Sequence, residues 1–205
     1  MGKVMTHHTI VHPILQPMFE TLRTERLVLR PYRLDDAEAR WQAIEESRDH
    51  LRRYEPEQAS SCCSVAEAHV WIIRANADWL VRKRFAIGIW TQVTDQYLGG
   101  IGLRPCAEDG WSVPAFELGY WVRASAQGQG YVTEAVGSVT AYALEQLHAQ
   151  RVEIRCEANN ERSAAVATRL GFRLEGHLRN IARQADGTLI DEFIYALIPT
   201  DQGRR

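Results

Sequence analysis

The feature that most constrains this chain is a strand that runs into a glycine turn and leaves it along a long helix. The run F-E-L-G-Y-W-V ends at Val122, R-A-S-A-Q-G-Q-G fills residues 123–130, and Val132, Ala135, Val136, Val139, Ala143 and Leu147 then recur at helical spacing from Tyr131 to Leu147. Glycines placed between a strand and a helix let backbone N–H groups approach an anion, and the helix N-terminus adds roughly half a positive charge there. Residues 127–134, Q-G-Q-G-Y-V-T-E, are therefore a candidate phosphate cradle, although a plain helix-entry turn would also use two glycines. Two other anion loops are excluded by identity: no Gly-Lys-Ser/Thr follows, and Thr133 stands where a dinucleotide fingerprint needs its third glycine.

The remaining elements fall in a definite order. Leu27–Tyr32 reads as a strand, and Leu34-Asp35-Asp36 starts a helix expected to run to about Ser47. A polar loop with Tyr54, Pro56, Cys62 and Cys63 follows, and Ser64 caps a second helix whose Val65, Ala68, Ile72, Ala75 and Trp79 share one face, ending near Val81. Phe85–Thr91, Tyr97–Arg104 and Pro114–Val122, separated by Thr94-Asp95-Gln96 and Ala107-Glu108-Asp109-Gly110, predict an antiparallel meander. Beyond the long helix come a strand at Val152–Cys156, a short helix capped by Asn160 and stopped at Gly171, and a strand from Phe172. Asp186-Gly187, between Leu178–Ile181 and Ile190–Ile198, marks a closing hairpin. The order predicts one α/β (α+β) domain over residues 21–199 with a mixed, mostly antiparallel central sheet flanked by helices. A loose arm (1–20) and a short tail (200–205) complete the expectation.

Composition narrows the function classes. A 205-residue chain that is 45% hydrophobic and 24% charged is neither disordered nor collagen-like, and a net charge of −2 argues against a nucleic-acid partner. No stretch approaches the roughly 18 consecutive apolar residues of a membrane span, and the first twenty residues lack a signal-peptide pattern, so no membrane partner and a cytoplasmic location are expected. Cys62, Cys63, Cys106 and Cys156 are irregularly spaced without a C-x-x-C pair, and His7, His8 and His12 read as incidental, so no metal site is expected. The thiols are expected to be dispensable for activity.

The segments E-L-G-Y-W-V, Q-G-Q-G-Y-V-T-E-A, V-E-I-R-C-E-A-N-N-E-R-S and R-L-G-F-R-L-E-G-H-L-R-N, in this order, resemble the GNAT superfamily of acyl-CoA N-acyltransferases. More narrowly they resemble the bacterial branch that acetylates ribosomal-protein N-termini. The likeness covers about residues 22–198. It implies a GNAT fold and an enzyme moving acetyl from acetyl-CoA to a primary amine. The family's phosphate loop falls on Gln127, Gly130 and Val132, with Val132 departing from the family's glycine or alanine and its branched side chain expected to narrow the turn. By the same resemblance the backbone of Gly128, Gln129, Gly130, Tyr131, Val132 and Thr133 would hold the pyrophosphate. Trwo further contacts of the cofactor are implied: Trp121, Val122 and Arg123 would splay from the neighbouring strand at a bulge and pair with the pantetheine amides, and Asn160 would bind the pantetheine arm.

Amide formation from a thioester needs a deprotonated amine, a stabilised oxyanion and a protonated leaving thiolate. The resemblance assigns the last role to the Asn-x-x-Ser segment, here Ser163, although Asn160 and Ser163 are equally suited to capping a helix. For the base, Glu117 shares a strand face with Gly119 and Trp121, opposite Phe116, Leu118, Tyr120 and Val122, and a partly apolar cleft would favour its protonation. The alternative is a strand glutamate paired with an arginine. The relatives' acid shortly after Glu-Gly has no counterpart in Asn180-Ile181-Ala182-Arg183. Arg162 and Arg169 could meet a 3′-phosphate, and Trp41, Tyr54, Trp71 and Trp79 belong to the part of this fold that walls the acceptor cleft. A protein or peptide N-terminus is the preferred acceptor by analogy. Antibiotic, polyamine or metabolite amines, or a silent acyl-CoA-binding protein, are the alternatives. A homodimer is expected by the same analogy.

Overall fold

The computed structural model describes residues 13–54, 56–60, 62–107, 113–184 and 187–204. Its strands are β1 (Leu22–Arg23), β2 (Leu27–Pro31), β3 (Phe85–Thr91), β4 (Tyr97–Pro105), β5 (Ala115–Val122), β6 (Arg151–Glu157), β7 (Arg173–Arg183) and β8 (Leu189–Leu197). The α-helices are α1 (Ala37–Tyr54), α2 (Pro56–Ser60), α3 (Val65–Leu80), α4 (Tyr131–Glu145) and α5 (Glu161–Arg169). One eight-stranded sheet has the order β1-β2-β3-β4-β5-β6-β8-β7. Every ladder is antiparallel except β5–β6, whose strands are joined through α4 because parallel neighbours need a crossover.

That parallel ladder is short. It runs from Ala115 opposite Arg151 to Leu118 opposite Ile154, after which Gly119–Val122 leaves β6 while staying paired to β4. The sheet therefore splays open just before the glycine turn.

Alternation in β5 divides the core in two. Phe116 and Leu118 join Leu29, Ile87, Leu103 and Ile154 under Ala135, Val136 and Val139 of α4 and Val166 and Ala167 of α5. Trp121 faces the other way, with Tyr32, Trp90 and Tyr97, against Ala43, Ile44 and Leu51 of α1 and Ala68 and Ile72 of α3. Fully burying a residue of this size stabilises the fold by about 1.5–3 kcal/mol.

The meander, the Ser64 cap, whose side chain accepts from the Glu67 N–H, and the left-handed Gly171 at φ +84° agree with the sequence reading. Helix α1 outruns it, continuing past Ser47 to Tyr54 because Leu51 returns to the buried face and no breaker intervenes before Pro56. The expected polar loop contains α2. Most of the two turns at 107–110 and 186–187 lies outside the described residues, as do His7, His8 and His12.

The ends are held more firmly than expected. Within the supposed loose arm, Phe19 packs edge-on against Trp79 and Tyr142, and Arg82 donates to the Gln16 carbonyl at 2.9 Å. In the tail, Asp201 pairs with Arg173 at 2.8 Å. No helix among the described residues is long and apolar enough to cross a membrane.

Candidate active site

A cleft of about 2200 Å³ passes through the splay, touching the end of α1, the outer halves of β4 and β5, the glycine turn, α4, α5 and the β7–β8 hairpin. Its first side is made of backbone. Gly128 and Gly130 stand at φ +74° and +80°, a region costly for any residue with a Cβ, and this lets the chain turn sharply into α4. The N–H groups of residues 128–133 have no backbone acceptor among the described residues. They form a row of unused donors at the positive end of a 15-residue helix, suited to a phosphate group.

The acid nearest this row is neutralised. Glu134 accepts from the Thr24 hydroxyl at 2.5 Å and from the Arg26 backbone and side chain at 2.9 and 2.7 Å. Burial alone would raise its pKa, but the bonds from Thr24 and Arg26 prevail and hold it below the ordinary value. The Arg26 guanidinium also lies over the Tyr131 ring, 4.7 Å from its centroid. Tyr131 thus supports the turn while lining the cleft. Val132 is partly buried against the core and also lines the cleft.

At the mouth of the splay the Ser163 hydroxyl meets the Tyr120 hydroxyl at 2.9 Å and lies within hydrogen-bonding reach of the Cys156 thiol. Tyr120 also approaches the Ser163 carbonyl, at 3.2 Å. Burial pushes the Cys156 thiol up, and Ser163 only partly offsets this. The Asn160 side-chain oxygen accepts from the Ser163 N–H at 3.2 Å, the capping bond that its position before α5 calls for, and Asn160 still lines the cleft. Across the channel, Arg162 reaches the Gln127 side-chain oxygen at 2.5 Å.

The second side is made of side chains. Gly102 and Gly119 pair across β4 and β5; the Arg84 guanidinium lies over Gly102, whereas a Cβ on Gly119 would meet nothing, so the sheet is bare at Gly119. Around it stand Arg84, Arg104, Glu117, Arg155 and Glu192. Glu117 takes Arg104 at 2.8 Å and Arg155 at 3.4 Å on one carboxylate oxygen. The partly apolar surroundings expected for it are not found: the register sets Arg104 directly opposite on β4, and Arg155 leans over from β6. Arg155 also reaches Glu153 at 3.2 Å and Glu192 at 3.7 Å. Burial, the largest influence, keeps the Glu192 carboxyl above its ordinary value, with Arg155 opposing and Glu117 reinforcing.

An acetyltransferase (GNAT) domain family matches residues 26–173, the part that holds the splay, the glycine turn and Ser163. The chain belongs to this family. It is 29% identical over 179 residues to the N-acetyltransferase p20 of Bacillus licheniformis, covering 87% of this chain and 96% of that one. To the [ribosomal protein uS5]-alanine N-acetyltransferase of Escherichia coli it is 26% identical over 180 residues, covering 88% and 91%. Among solved structures, RimL, a ribosomal L7/L12 α-N-protein acetyltransferase in complex with coenzyme A, superposes with a TM-score of 0.78 at 21% identity over 87% of this chain and 98% of that one. The microcin C7 self-immunity acetyltransferase MccE, in complex with acetyl-CoA and AMP, gives 0.77 at 22% over 85% and 93%. The protein is a GNAT N-acetyltransferase.

Several site residues of this GNAT enzyme stand elsewhere than the sequence reading has them. Trp121, Val122, Gln127, Gly128, Gly130, Tyr131, Val132, Thr133, Asn160, Ser163 and Glu117 line the cleft. Gln129 and Arg123 do not. The Gln129 side chain turns back to the Ser125 carbonyl at 3.1 Å. The Arg123 N–H donates to Leu98 at 2.8 Å, and its guanidinium is clamped to Glu46 of α1. The Arg123 bond, followed by those from Ser125, holds Glu46 down to about 2. The strut ties α1 to the segment that enters the glycine turn.

The expected bulge in β5 is absent. The β4–β5 register is unbroken, and the register shifts lie between β3 and β4, at Ile89/Trp90, and in the β7–β8 ladder. The opening comes instead from the early end of the β5–β6 ladder. Of the four aromatics assigned to the acceptor wall, only Tyr54 lines the cleft, whereas Trp79 packs on Phe19 and Phe85 and Trp71 on Tyr32. The sequence reading missed Tyr120 and Glu192. Their only signals were strand alternation for Tyr120 and the acid pair Asp191-Glu192 in the last strand.

Proposed function

We propose that this enzyme acetylates the N-terminal amine of a protein or peptide, using acetyl-CoA. The observation that carries the reading is the kinship with the Escherichia coli uS5-alanine N-acetyltransferase across 91% of that protein's length. The cleft supports it. Arg84, Arg104 and Arg155 among Glu117 and Glu192 give a floor of mixed charge, unsuited to a polycation such as a polyamine, and the bare stretch at Gly119 leaves room for an extended backbone.

In this reading the donors of residues 128–133 hold the pyrophosphate, and the edge that Gly119–Val122 frees on leaving β6 receives the pantetheine amides, with Asn160 beside them. Ser163 gives a proton to the departing sulfur. Tyr120 orients it: when the tyrosine donates to the serine oxygen, the serine hydrogen is free for the sulfur. Glu117, fixed by two arginines, is a standing negative charge near which an ammonium group collects.

The test is CoA release from acetyl-CoA with the full chain against peptides with free Ala, Ser, Met and Gly N-termini, the same peptides N-terminally blocked, polyamines and aminoglycosides. Turnover on the free peptides alone is the expected result. Turnover on polyamines or aminoglycosides alone would replace the acceptor class.

A further inference from the structure

The remaining chemical requirement is a base for the acceptor amine, and this question rests on the acetyl-transfer reading above. Glu117 is the carboxylate singled out by strand alternation, yet Arg104 and Arg155 both hold its Oε2, at 2.8 and 3.4 Å. Its Oε2 thus carries a charge-assisted hydrogen bond from Arg104 and an ion pair with Arg155.

A second carboxylate enters the same cleft from β8. Glu192 lies opposite Glu157 of β6 and Leu178 of β7, one strand beyond the splay. Its side chain is 28% exposed, and its one ion pair among the described residues, to the Arg155 Nη1, is 3.7 Å long, beyond hydrogen-bonding distance. The charged groups around it are Arg155, Glu153 and Glu157 on β6, Glu117 on β5 and Arg104 on β4. Arg155 therefore stands between two carboxylates, within ion-pair reach of both, while its own hydrogen bonds go to Glu153.

We propose that Glu192 is the base that takes the proton from the acceptor amine, and that Arg155, standing between Glu117 and Glu192, is a positioning residue that sets the charge beside it. Burial and the neighbouring acids hold the Glu192 carboxyl above its ordinary value against the pull of Arg155, the direction a general base needs. The step balances. The ammonium gives one proton to Glu192, which passes it to water. The nitrogen then forms the C–N bond as the C–S bond breaks, its second proton leaves to solvent, and the sulfur takes a proton from Ser163, which solvent restores.

The experiment measures kcat/KM from about pH 5.5 to about pH 9.5 for the full chain and four variants, on the best amine of the panel above. Glu192→Gln should lower kcat near neutral pH by about 100-fold, leave the KM for acetyl-CoA within about twofold, and abolish the acidic limb of the profile. Glu192→Asp, which guards against misfolding of the amide variant, should keep that limb at a reduced rate. Arg155→Met should move the limb to higher pH, because the charge that opposes protonation is gone. Glu117→Gln should lose less than about tenfold and keep the limb. A Glu192→Gln enzyme within about threefold of the parent with its limb intact, or loss of the limb in Glu117→Gln, would overturn the proposal. An active parent with an indifferent Glu192→Gln defeats this inference alone, whereas a parent silent on every amine defeats the acetyl-transfer reading together with it.

Discussion

The two sides of the splay are built on different principles. On the side proposed to hold the cofactor, the groups offered are N–H donors of six consecutive residues, held by two left-handed glycines and the start of α4, and side chains there serve packing: Val132 packs against the core and Tyr131 carries the Arg26 guanidinium. On the acceptor side the groups are side chains from β4, β5, β6 and β8, plus Arg84 ahead of β3, standing around the sheet where it is bare at Gly119. A site made of backbone tolerates exchange of side chains as long as the dihedrals survive. A site made of side chains changes its chemistry with each exchange. The fold is shared with acetyltransferases of different acceptors, that of uS5 at 26% identity and that of L7/L12 at 21%.

Four substitutions in the cleft test this division. Ser163→Ala removes the proposed proton donor at the junction and should lower kcat by about 100-fold with acetyl-CoA affinity unchanged, read by CoA release and by calorimetry. If affinity falls and kcat does not, Ser163 belongs to the cofactor side. Gly130→Val forces a branched residue to φ +80° and should weaken acetyl-CoA binding about tenfold, the strain of a left-handed non-glycine residue being about 1–3 kcal/mol. Val132→Ala, at a position whose side chain packs against the core, should change that affinity by less than about twofold. Tyr120→Phe keeps the ring packed beside Val122 but frees the serine, and a fall of about threefold to tenfold in kcat alone is expected from one lost hydrogen bond.

The strut between the two sides gives the smallest effect, and a pH signature. Glu46 is held at about 2 against an ordinary 4.5 by Arg123 and Ser125, so its contribution is complete above about pH 4.5 and fades as pH falls toward 2. The side chain is 30% exposed, and about 1 kcal/mol or less is expected for the pair. Glu46→Gln should therefore lower the urea midpoint slightly at neutral pH, and the gap to the parent should close on acidification. A gap that stays constant down to about pH 3 would show that the charge plays no part.

Much of the cofactor side was legible because its determinants are contiguous. The glycine turn, the Asn160 cap, Ser163 three residues later and the stop at Gly171 are all read within a dozen residues of their partners, and the structure puts each where its local chemistry requires. The acceptor side was not legible in this way. Glu117 was visible through alternation, but its partners Arg104 and Arg155 lie 13 residues before it and on the far side of the α4 crossover. Which ladder ends early, and so where the sheet opens, is a property of the β5–β6 pairing that no single strand carries. Trp41, Trp71 and Trp79 were read as mostly core residues of the helices beside the cleft, and the structure packs Trp71 on Tyr32 and Trp79 on Phe19 and Phe85.

The sequence by itself determined the family, the order of elements and the phosphate turn, since local backbone preferences, caps and hydrophobic period are written in neighbouring residues. The tertiary structure alone decided how the two carboxylates are held. Glu117 and Glu192 are alike as residues on strands, and the difference between them is the Arg104 hydrogen bond that strand register brings to Glu117, while Arg155 stands within ion-pair reach of both.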